Sequence, residues 1–473
     1  FLNPYRDDLP DVDIDIPHHK QELAMQRVFD RWPTQSARIS NYVLYREKSA
    51  KREAAKRLGA KGRLPKDIDY AKLGVDEQEA TRIERKLMGK KRCISKHCGG
   101  VLVFDRALPK SLFRDDNLIL LDKNEVEDLE HLKVDILANR GLSQLLEIDP
   151  HTRLDAYPKQ DERVSDLLCR GDVLGVTQGE SPTMKRLFRA LQPTGVEDCV
   201  FASALVRPVA MEGRRKASWF RDWSEKGIQK NAIVYEDDAI HKIMKLIGIS
   251  PYEADMYRRA FAKKNEEKMM QFMARLGDHP DKHDIYEQMQ SLSGFGLCRA
   301  HAVNLGRLIW ALAYHKVYNP KEFWRACLKH CQGSYARWVY RNEAKRAGWD
   351  LRELGFDNWI TEDPVESFKQ HGAWNSPGFL PNMGLQNLFL DKFQFAGIVA
   401  NSRVFKSDSK NYIHFITLGV GEGRYVDLVV DRPVKYARDS VVVGEGQMWT
   451  KDNSNYLKVK RKNVRSMPID QYA

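Results

Sequence analysis

Aspartates at alternate positions near the start of the chain, in Pro10-Asp11-Val12-Asp13-Ile14-Asp15, are the feature that most constrains its fold. Side chains two residues apart in a β-strand point to the same face. A strand here projects three carboxylates together and turns Val12 and Ile14 toward the opposite layer. Because like charges held this close repel one another, the pattern predicts a bound divalent cation with oxygen ligands. A solvated acidic loop is the simpler alternative.

A second acidic segment favours the metal interpretation. Leu132-Lys133-Val134-Asp135-Ile136-Leu137 predicts a buried strand that carries one lysine and one carboxylate. Two metal ions held by carboxylates from two strands suit an in-line phosphoryl displacement. Lys133 lies two residues before Asp135 on the same strand face, where it can neutralise a triphosphate.

Composition indicates a large basic protein with a polyanionic partner. The chain has 473 residues, 77 Lys and Arg against 65 Asp and Glu, and a net charge of +12. This length predicts about three domains. No apolar run reaches the roughly 18 residues of a membrane span, and the seven scattered cysteines indicate reduced thiols. We therefore expect no membrane association and a cytoplasmic location.

The sequence pattern changes several times along the chain, which predicts an α+β multidomain protein. A basic, mixed-charge helical stretch over 45–92 interrupts strand-like sequence, and a mainly helical pattern runs from about 141 to 335. Residues 392–466 show short strands punctuated by glycine, which predicts a small β-barrel. The basic stretch includes Lys51, Arg52, Lys56 and Arg57. It predicts either a solvated helix surface or a contact with a phosphate backbone.

The order of several motifs resembles the C-family DNA polymerases, the alpha subunits of bacterial DNA polymerase III and their relatives. Phe1-Leu2-Asn3-Pro4 and Leu9–Asp15 resemble the palm signature of that family, and Lys133–Leu137 resembles the strand with its third catalytic aspartate. The other matches are Lys96–Val101 with K-H-x-x-G-V, Gly171–Met184 with G-D-x-x-x-V-F-Q-x-E-S-x-x-M, Glu253–Lys264 with A-D-x-L-R-R-A-x-x-K-K, and Phe295–Ala302 with F-N-K-S-H-A. These matches are collinear, and the all-β module lies where the family carries an OB domain.

The resemblance implies template-directed DNA synthesis from dNTPs on a primer–template, with two Mg²⁺ ions held by Asp13, Asp15 and Asp135. It implies a mixed-sheet palm at 1–44 and 93–140, a thumb at 45–92, helical fingers at 141–335, a connector with a reduced helix-hairpin-helix-like region at 336–391 and an OB-like barrel at 392–473. The implied nucleotide-binding residues are Lys133, Arg258, Arg259, Lys263, Lys264, Arg299 and His301. Arg259 and Lys263 are the better pair, because residues four apart share a helix face.

Contacts with DNA follow from the same interpretation. Lys51, Arg52, Lys56 and Arg57 of the thumb, with Lys458 and Lys460 of the OB-like module, are the candidate phosphate contacts. Aromatic residues of that module are available for base stacking, although most of them are expected in the barrel core. Gln178 and Glu180 are interpreted as structural residues at the base of the fingers.

Departures from the family pattern qualify this interpretation. The upstream PHP domain and the first palm segment of the family do not occur in the sequence, which predicts either a fragment or a split polymerase completed by a separate chain. Arg207–Gly213 departs from R-P-G-P-x-x-S-G, and Gln386–Phe389 weakly resembles a sliding-clamp-binding peptide. Such divergence favours a phage-encoded or accessory polymerase.

Two other classes of protein remain open on the sequence. A non-catalytic, DNA-binding polymerase remnant or scaffold would explain the basic charge, although retention of all three carboxylates and Lys133 argues against decay. A metal-dependent nuclease could use similar carboxylates, but it would not explain the long basic fingers.

Overall fold

The structure is a computed structural model. It describes residues 12–62, 64–65, 68–115, 117–129, 131–151, 153–206, 234–283, 285–286, 289, 298–330, 333–356, 384–389, 392–406, 412–420, 424–436, 440–451 and 454–468. The chain divides into two compact units, Phe1–Asn139 and Arg140–Ala473.

A six-stranded mixed sheet forms the centre of the first unit. Its strands are β1 (Val12–Pro17), β2 (Ser36–Leu44), β3 (Lys91–Val103), β4 (Phe113–Asp115), β5 (Leu118–Ile119) and β6 (Lys133–Asn139), in the order β1-β6-β3-β2-β5-β4. β1 runs parallel to β6, and β6 runs antiparallel to β3. The predicted strands at both acidic segments are therefore confirmed, and they are neighbours.

Helices cover parts of this sheet. Helix α1 (Gln21–Arg31) buries Met25 and Phe29 against Val101 and Ile136, because its apolar residues recur on one face. A second cluster on the sheet includes Ile39, and helix α4 (Lys123–Asp128) contributes Val126 to it. The sheet is thus packed around two small apolar clusters.

Two burial predictions for this sheet are wrong. Val12 and Ile14 are exposed by 36% and 45%, because β1 is the last described strand at its side of the sheet and α1 covers only part of that face. The segment Leu132–Leu137, predicted as a buried strand, is mostly half-buried: Leu132 is 43% exposed, and Ile136 is the one residue of the segment that is buried. Its alternate residues include Lys133 and Asp135, so only one of its faces is apolar.

The basic stretch between β2 and β3 folds into helices α2 (Glu47–Arg57) and α3 (Glu77–Leu87), as predicted. They share an apolar cluster that includes Ala54, Tyr70 and Ala80. The small alanines let the helices approach closely, while the long charged side chains remain outside.

The second unit begins with a mainly helical region, which confirms the pattern predicted for 141–335. One large core joins helices α5 (Arg140–Ile148), α6 (Glu162–Cys169), α7 (Pro182–Leu191), α8 (Val196–Leu205), α12 (Arg299–Tyr318), α13 (Pro320–His330) and α14 (Arg337–Arg346). Helices α9 (Glu236–Ile247), α10 (Pro251–Lys263) and α11 (Glu266–Arg275) have their own core around Ile240, Tyr257 and Phe272. No helix in the described ranges is both long and apolar enough to cross a membrane.

The C-terminal part of the second unit is all β, as predicted. Its strands are β7 (Gly384–Phe389), β8 (Lys392–Lys406), β9 (Tyr412–Gly419), β10 (Tyr425–Val430), β11 (Ser440–Lys451), β12 (Ser454–Val459) and β13 (Val464–Pro468). Strands β8, β9, β10, β12 and β11 pair in that order, and an additional β11–β8 pairing closes them into a ring. Phe395, Ile416, Leu428 and Leu457 form part of the core. The clamp-like segment Gln386–Phe389 lies in β7, which pairs antiparallel with β8.

Candidate active site

The in-register pairing of β1 and β6 brings the two acidic segments together. Asp13 lies directly opposite Asp135, and Asp15 follows on the same face of β1, opposite Leu137. Paired residues on neighbouring strands point their side chains to the same face. Asp13 is exposed and Asp15 is half-buried. Asp11 lies outside the described residues, and the structure shows no group of three or more His, Cys, Asp or Glu side chains arranged for a metal within the residues that it describes.

Within the described ranges, Asp135 has one carboxylate oxygen with a partner and one without a hydrogen-bond donor. The Lys133 ammonium lies 3.1 Å from Asp135 Oδ2, and both side chains are largely buried. Asp135 Oδ1 is buried and finds no hydrogen-bond partner among the described residues. A buried carboxylate oxygen without a donor carries a substantial desolvation cost, so this oxygen is suited to a cation.

His97 does not supply the missing donor. Its Nδ1 lies 3.7 Å from Asp135 Oδ1, but the same nitrogen accepts backbone N–H bonds from Gly100 at 2.7 Å and Gly99 at 3.3 Å. Burial lowers the pKa of His97, which agrees with a neutral ring that has no proton on Nδ1. The contact with Asp135 is therefore between two acceptors, not an ion pair.

A bulge in β3 creates this arrangement. Arg38 pairs with Val101 but Ser40 pairs with Lys96, so β3 has extra residues opposite β2 at this point. Gly100 lies opposite Asp135 on β6. A Cβ on Gly100 would lie 2.7 Å from His97 Nδ1 and 3.3 Å from Asp135 Oδ1. Glycine in the K-H-x-x-G-V segment is therefore required by the close approach of the histidine and the aspartate.

Two polar residues that the sequence interpretation missed fix this part of the sheet. The Gln21 side-chain amide donates to the carbonyls of Cys98 at 3.0 Å and Ile136 at 2.6 Å, which ties β3 to β6. The Arg38 Nε donates to the His97 carbonyl at 3.0 Å. Sequence gives no signal for either contact. Both side chains bind backbone carbonyls, which every residue has, on strands that are distant in sequence.

The candidate nucleotide-binding residues of helix α10 engage an acidic neighbour. Asp255 is buried and accepts from Arg258 Nε at 2.7 Å and Arg259 Nε at 3.1 Å. Arg258 also lies 3.4 Å from Glu236. Asp255 precedes the arginines by three and four residues, so helical spacing was a signal for this contact. Lys264 is exposed at the helix end, and the Lys263 side chain lies outside the described part of the chain.

Arg299 and His301 lie at the start of α12. The Arg299 backbone N–H donates to Asp237 at 3.2 Å, and its guanidinium lies 5.7 Å from the Tyr235 ring centroid. His301 is half-buried. Of the motif predicted around them, Phe295–Leu297 lies outside the described residues, as does Arg207–Gly213.

The candidate thumb contacts are on the outer surface of α2. Lys51 pairs with Glu47 at 3.0 Å and Arg57 pairs with Glu53 at 3.1 Å. Arg52 donates to the Pro65 carbonyl at 3.2 Å, and Lys56 is exposed. Exposed ion pairs of this kind contribute little to stability, so these cations can exchange a carboxylate for a phosphate.

The C-terminal ring carries an exposed aromatic surface. Trp449 on β11 is 46% exposed and lies opposite Tyr456 on β12, with ring centroids 6.4 Å apart. The Lys458 ammonium lies over the Trp449 ring, and Lys460 is exposed. Tyr412 is exposed as well, and Phe415 is half-buried. The prediction that most of these aromatic side chains lie in the barrel core is therefore wrong for those that the structure describes.

Glu180 has the structural role predicted for it. It is buried and accepts from the Tyr340 hydroxyl at 2.5 Å, from Ser334 N at 3.0 Å and from Gly175 N at 2.9 Å. Burial raises its pKa. Gln178 adopts a left-handed backbone with φ of 73°. The motif residues around 171–184 thus hold the base of the helical region together.

Two family models match consecutive parts of the chain. Residues 1–138 match the "Bacterial DNA polymerase III alpha NTPase domain", and residues 138–283 match the "Bacterial DNA polymerase III alpha subunit finger domain". The chain belongs with the C-family, alpha-like DNA polymerases. The first match contains the paired aspartates, and the second contains the buried Asp255 with its two arginines.

Full-length relatives agree with this family. The alpha-like chain is 27% identical over 431 residues to an "Error-prone DNA polymerase" of Anaeromyxobacter dehalogenans, which covers 76% of this chain and 38% of that protein. It is 28% identical over 411 residues to a protein of the same name from Sinorhizobium medicae, with coverages of 74% and 37%. The protein of that name from Teredinibacter turnerae is also 28% identical, with coverages of 77% and 41%. The chain thus spans about two fifths of the length of these relatives.

Proposed function

We propose that this chain carries the catalytic palm, fingers and an OB-like module of a DNA polymerase that extends a primer from dNTPs. The observation that carries the proposal is the in-register pairing of Asp13 with Asp135 beside a buried carboxylate oxygen that has no hydrogen-bond donor among the described residues. The family matches, the basic charge and the closed ring of strands support it. The parallel β10–β12 pair within that ring agrees with an OB-like barrel.

The donor set fits magnesium. Asp13, Asp15 and Asp135 would hold two Mg²⁺ ions, since hard cations prefer carboxylate oxygens and the buried Asp135 Oδ1 has no donor in the part of the chain that the structure describes. Bound there, the ions would supply Lewis acidity to the primer hydroxyl and to the triphosphate. Neutral His97 fits this arrangement, because it adds no competing positive charge beside Asp135.

The chain's own cations would position the nucleotide. Lys133 lies against Asp135, where it would orient a triphosphate bound at the aspartates. Arg258 and Arg259 are held by Asp255, which pre-orders their guanidinium groups, and fixed cations stabilise charge that develops on phosphate oxygens. Lys263, Lys264, Arg299 and His301 remain candidates for the same nucleotide.

The partners are proposed on the same basis. Primer–template DNA would contact Lys51, Arg52, Lys56 and Arg57 of the thumb, and a single strand would contact Lys458 and Lys460 of the OB-like module. The proposal includes a separate chain that completes the palm and a phage origin. It also includes a sliding clamp that binds through Gln386–Phe389. The pairing of that last segment in β7 would have to coexist with clamp binding.

Replacement of either paired aspartate tests the proposal. Asp13→Asn or Asp135→Asn should reduce primer extension by several orders of magnitude and leave DNA binding nearly unchanged, because the carboxylates act on the transition state. Extension is measured with the complete polymerase, including any chain that supplies the upstream palm. Asp105→Asn is the matched control, since Asp105 is an exposed aspartate of the same unit.

A second readout does not depend on activity. Mg²⁺ should raise the unfolding temperature of the wild-type chain and of Asp105→Asn, but raise it less for Asp135→Asn, because a ligand that binds only the folded state stabilises it. Near-normal extension by Asp135→Asn would refute the two-metal assignment. A wild-type protein that binds DNA but neither extends a primer nor responds to Mg²⁺ would support the non-catalytic alternative.

A further inference from the structure

A cavity of about 220 Å³ lies between the start of helix α7 and the outer face of the C-terminal ring, entirely within the second unit. We call it the junction pocket and define it by Arg186, Asn401, Arg403, Phe415, Asp427 and Tyr456. It is smaller than the roughly 300 Å³ at which pockets for drug-sized ligands begin. Its size suits one base or a single nucleotide unit.

The lining has the chemistry of a nucleotide site. Arg186 holds its guanidinium 5.4 Å from the Phe415 ring centroid, and aromatic rings and guanidinium planes are the side-chain surfaces on which bases stack. Asn401 offers both an amide donor and an acceptor. Asp427, whose Oδ1 accepts from Thr417 at 2.6 Å, offers a carboxylate to base N–H donors, of which thymine N3–H is one. The two arginines suit a phosphate.

The pocket continues into the exposed aromatic surface of the ring. Tyr456 lines the pocket and is also the partner of Trp449 on the neighbouring strand, with ring centroids 6.4 Å apart. Trp449 is exposed and Lys458 lies over its ring. Aromatic and cationic side chains therefore form a continuous surface from Trp449 and Lys458 to Tyr456 at the pocket. This pattern favours an extended strand of nucleotides over a lone small molecule.

We propose that the junction pocket receives one nucleotide of a single-stranded nucleic acid that lies across Trp449 and Tyr456. The proposal rests on the proposed polymerase function in one respect: the single strand would be part of the template DNA. The pocket would anchor that strand at a fixed point between the helical region and the ring. A single strand and a free nucleotide would offer the pocket the same nucleotide unit. The binding assay described next distinguishes these two ligands.

Binding of two single strands to the full chain tests the proposal. One is an oligothymidine of about 12 nucleotides, within the roughly 4–16 nucleotides that an OB fold covers. The other has the same length but contains abasic residues. Phe415→Leu should weaken oligothymidine binding about 5- to 150-fold, the range expected for one stacked base, and leave abasic-strand binding unchanged. Arg186→Gln should weaken oligothymidine binding more than abasic binding.

Arg432→Gln is the matched control, because Arg432 is an exposed arginine of the same ring outside the pocket. It should reduce binding of both strands slightly and equally. Equal losses for both strands in Phe415→Leu and in Arg186→Gln, or no loss in either, would overturn the proposal. Displacement by free thymidine monophosphate that depends on Phe415, with unchanged oligothymidine binding in Phe415→Leu, would assign the pocket to a free nucleotide and also overturn it.

The outcome is independent of the test for catalysis. Asp135→Asn should retain the full difference between the oligothymidine and abasic strands, since Asp135 belongs to the first unit and takes no part in the pocket. Loss of primer extension in that variant with an unchanged difference would support both proposals. An unchanged extension rate with a persistent difference would refute the metal assignment and leave the pocket supported.

Discussion

Replacing Lys185 with methionine should stabilise the second unit at neutral pH, and the gain should disappear in alkaline solution. Lys185 lies in α7, next to Arg186, with its ammonium 5.0 Å from the Tyr335 ring centroid. Burial lowers its pKa from 10.5 to about 8, and the attraction of Asp427, Glu180 and Glu343 does not compensate. Lys316 adds to the lowering. The charged form of this lysine therefore lowers the free energy of unfolding of the protein.

The size of the effect follows from that pKa. A fall from 10.5 to about 8 corresponds to about 3 kcal/mol at 1.36 kcal/mol for each pH unit. Below pH 8 the lysine is charged in both states, so the full cost applies. Between pH 8 and 10.5 the unfolded chain binds more protons than the folded chain, and wild-type stability rises with pH. Methionine has similar length and no proton, so it removes both the cost and the slope.

Denaturant unfolding followed by tryptophan fluorescence at pH 7 and pH 10 measures the difference in free energy of unfolding between the two proteins. At pH 7 the Lys185→Met protein should be more stable by up to about 3 kcal/mol. At pH 10, which is still below the unfolded pKa of 10.5, this advantage should have fallen to about 1 kcal/mol. Lys345→Met, at an exposed lysine of α14, should show no such pH-dependent difference. A Lys185→Met protein that is less stable at pH 7, or a difference that does not change with pH, would refute the reasoning.

Two further predictions concern the helical region of the second unit and helix α2 of the first. Tyr340→Phe removes the hydroxyl that donates to buried Glu180 at 2.5 Å and accepts from the Tyr335 N–H at 3.3 Å. Denaturant unfolding should show a loss of about 1–3 kcal/mol, the range for buried polar groups that lose a partner. Tyr412→Phe, at a 40% exposed tyrosine, should change stability little; equal effects of the two would contradict the assignment. Replacing Lys51, Arg52, Lys56 and Arg57 with Gln should lower the slope of log K against log salt for duplex DNA by about 0.9 for each lost phosphate contact, with less change for single strands. An unchanged slope would identify these residues as solvated helix surface.

Local sequence patterns were sufficient to predict most elements. Alternation of aspartate with Val12 and Ile14 predicted β1, and the glycine-punctuated apolar runs predicted the strands of the C-terminal ring. The mixed-charge stretch at 45–92 was correctly predicted as helical. These predictions succeed because side-chain periodicity depends only on residues close in sequence. Collinear motifs were likewise sufficient to indicate the polymerase family.

Tertiary structure decided which of these elements meet. The pairing of Asp13 with Asp135 depends on the register of two strands that are far apart in sequence, and a shift of one residue would turn one aspartate to the other face. The exposure of Val12 and Ile14 also depends on tertiary structure, because α1 covers only part of the sheet face on which they lie.

Tertiary structure also decided the acceptor role of His97 and the composition of the junction pocket. His97 is an acceptor because a bulge turns the Gly99 and Gly100 N–H groups toward its ring. The pocket combines Arg186 from a helix with Phe415 from a strand of the ring. Sequence determines which chemical groups are present and which face of an element they share. Only long-range packing determines which groups from different elements come within bonding distance, because that depends on the closure of the whole chain.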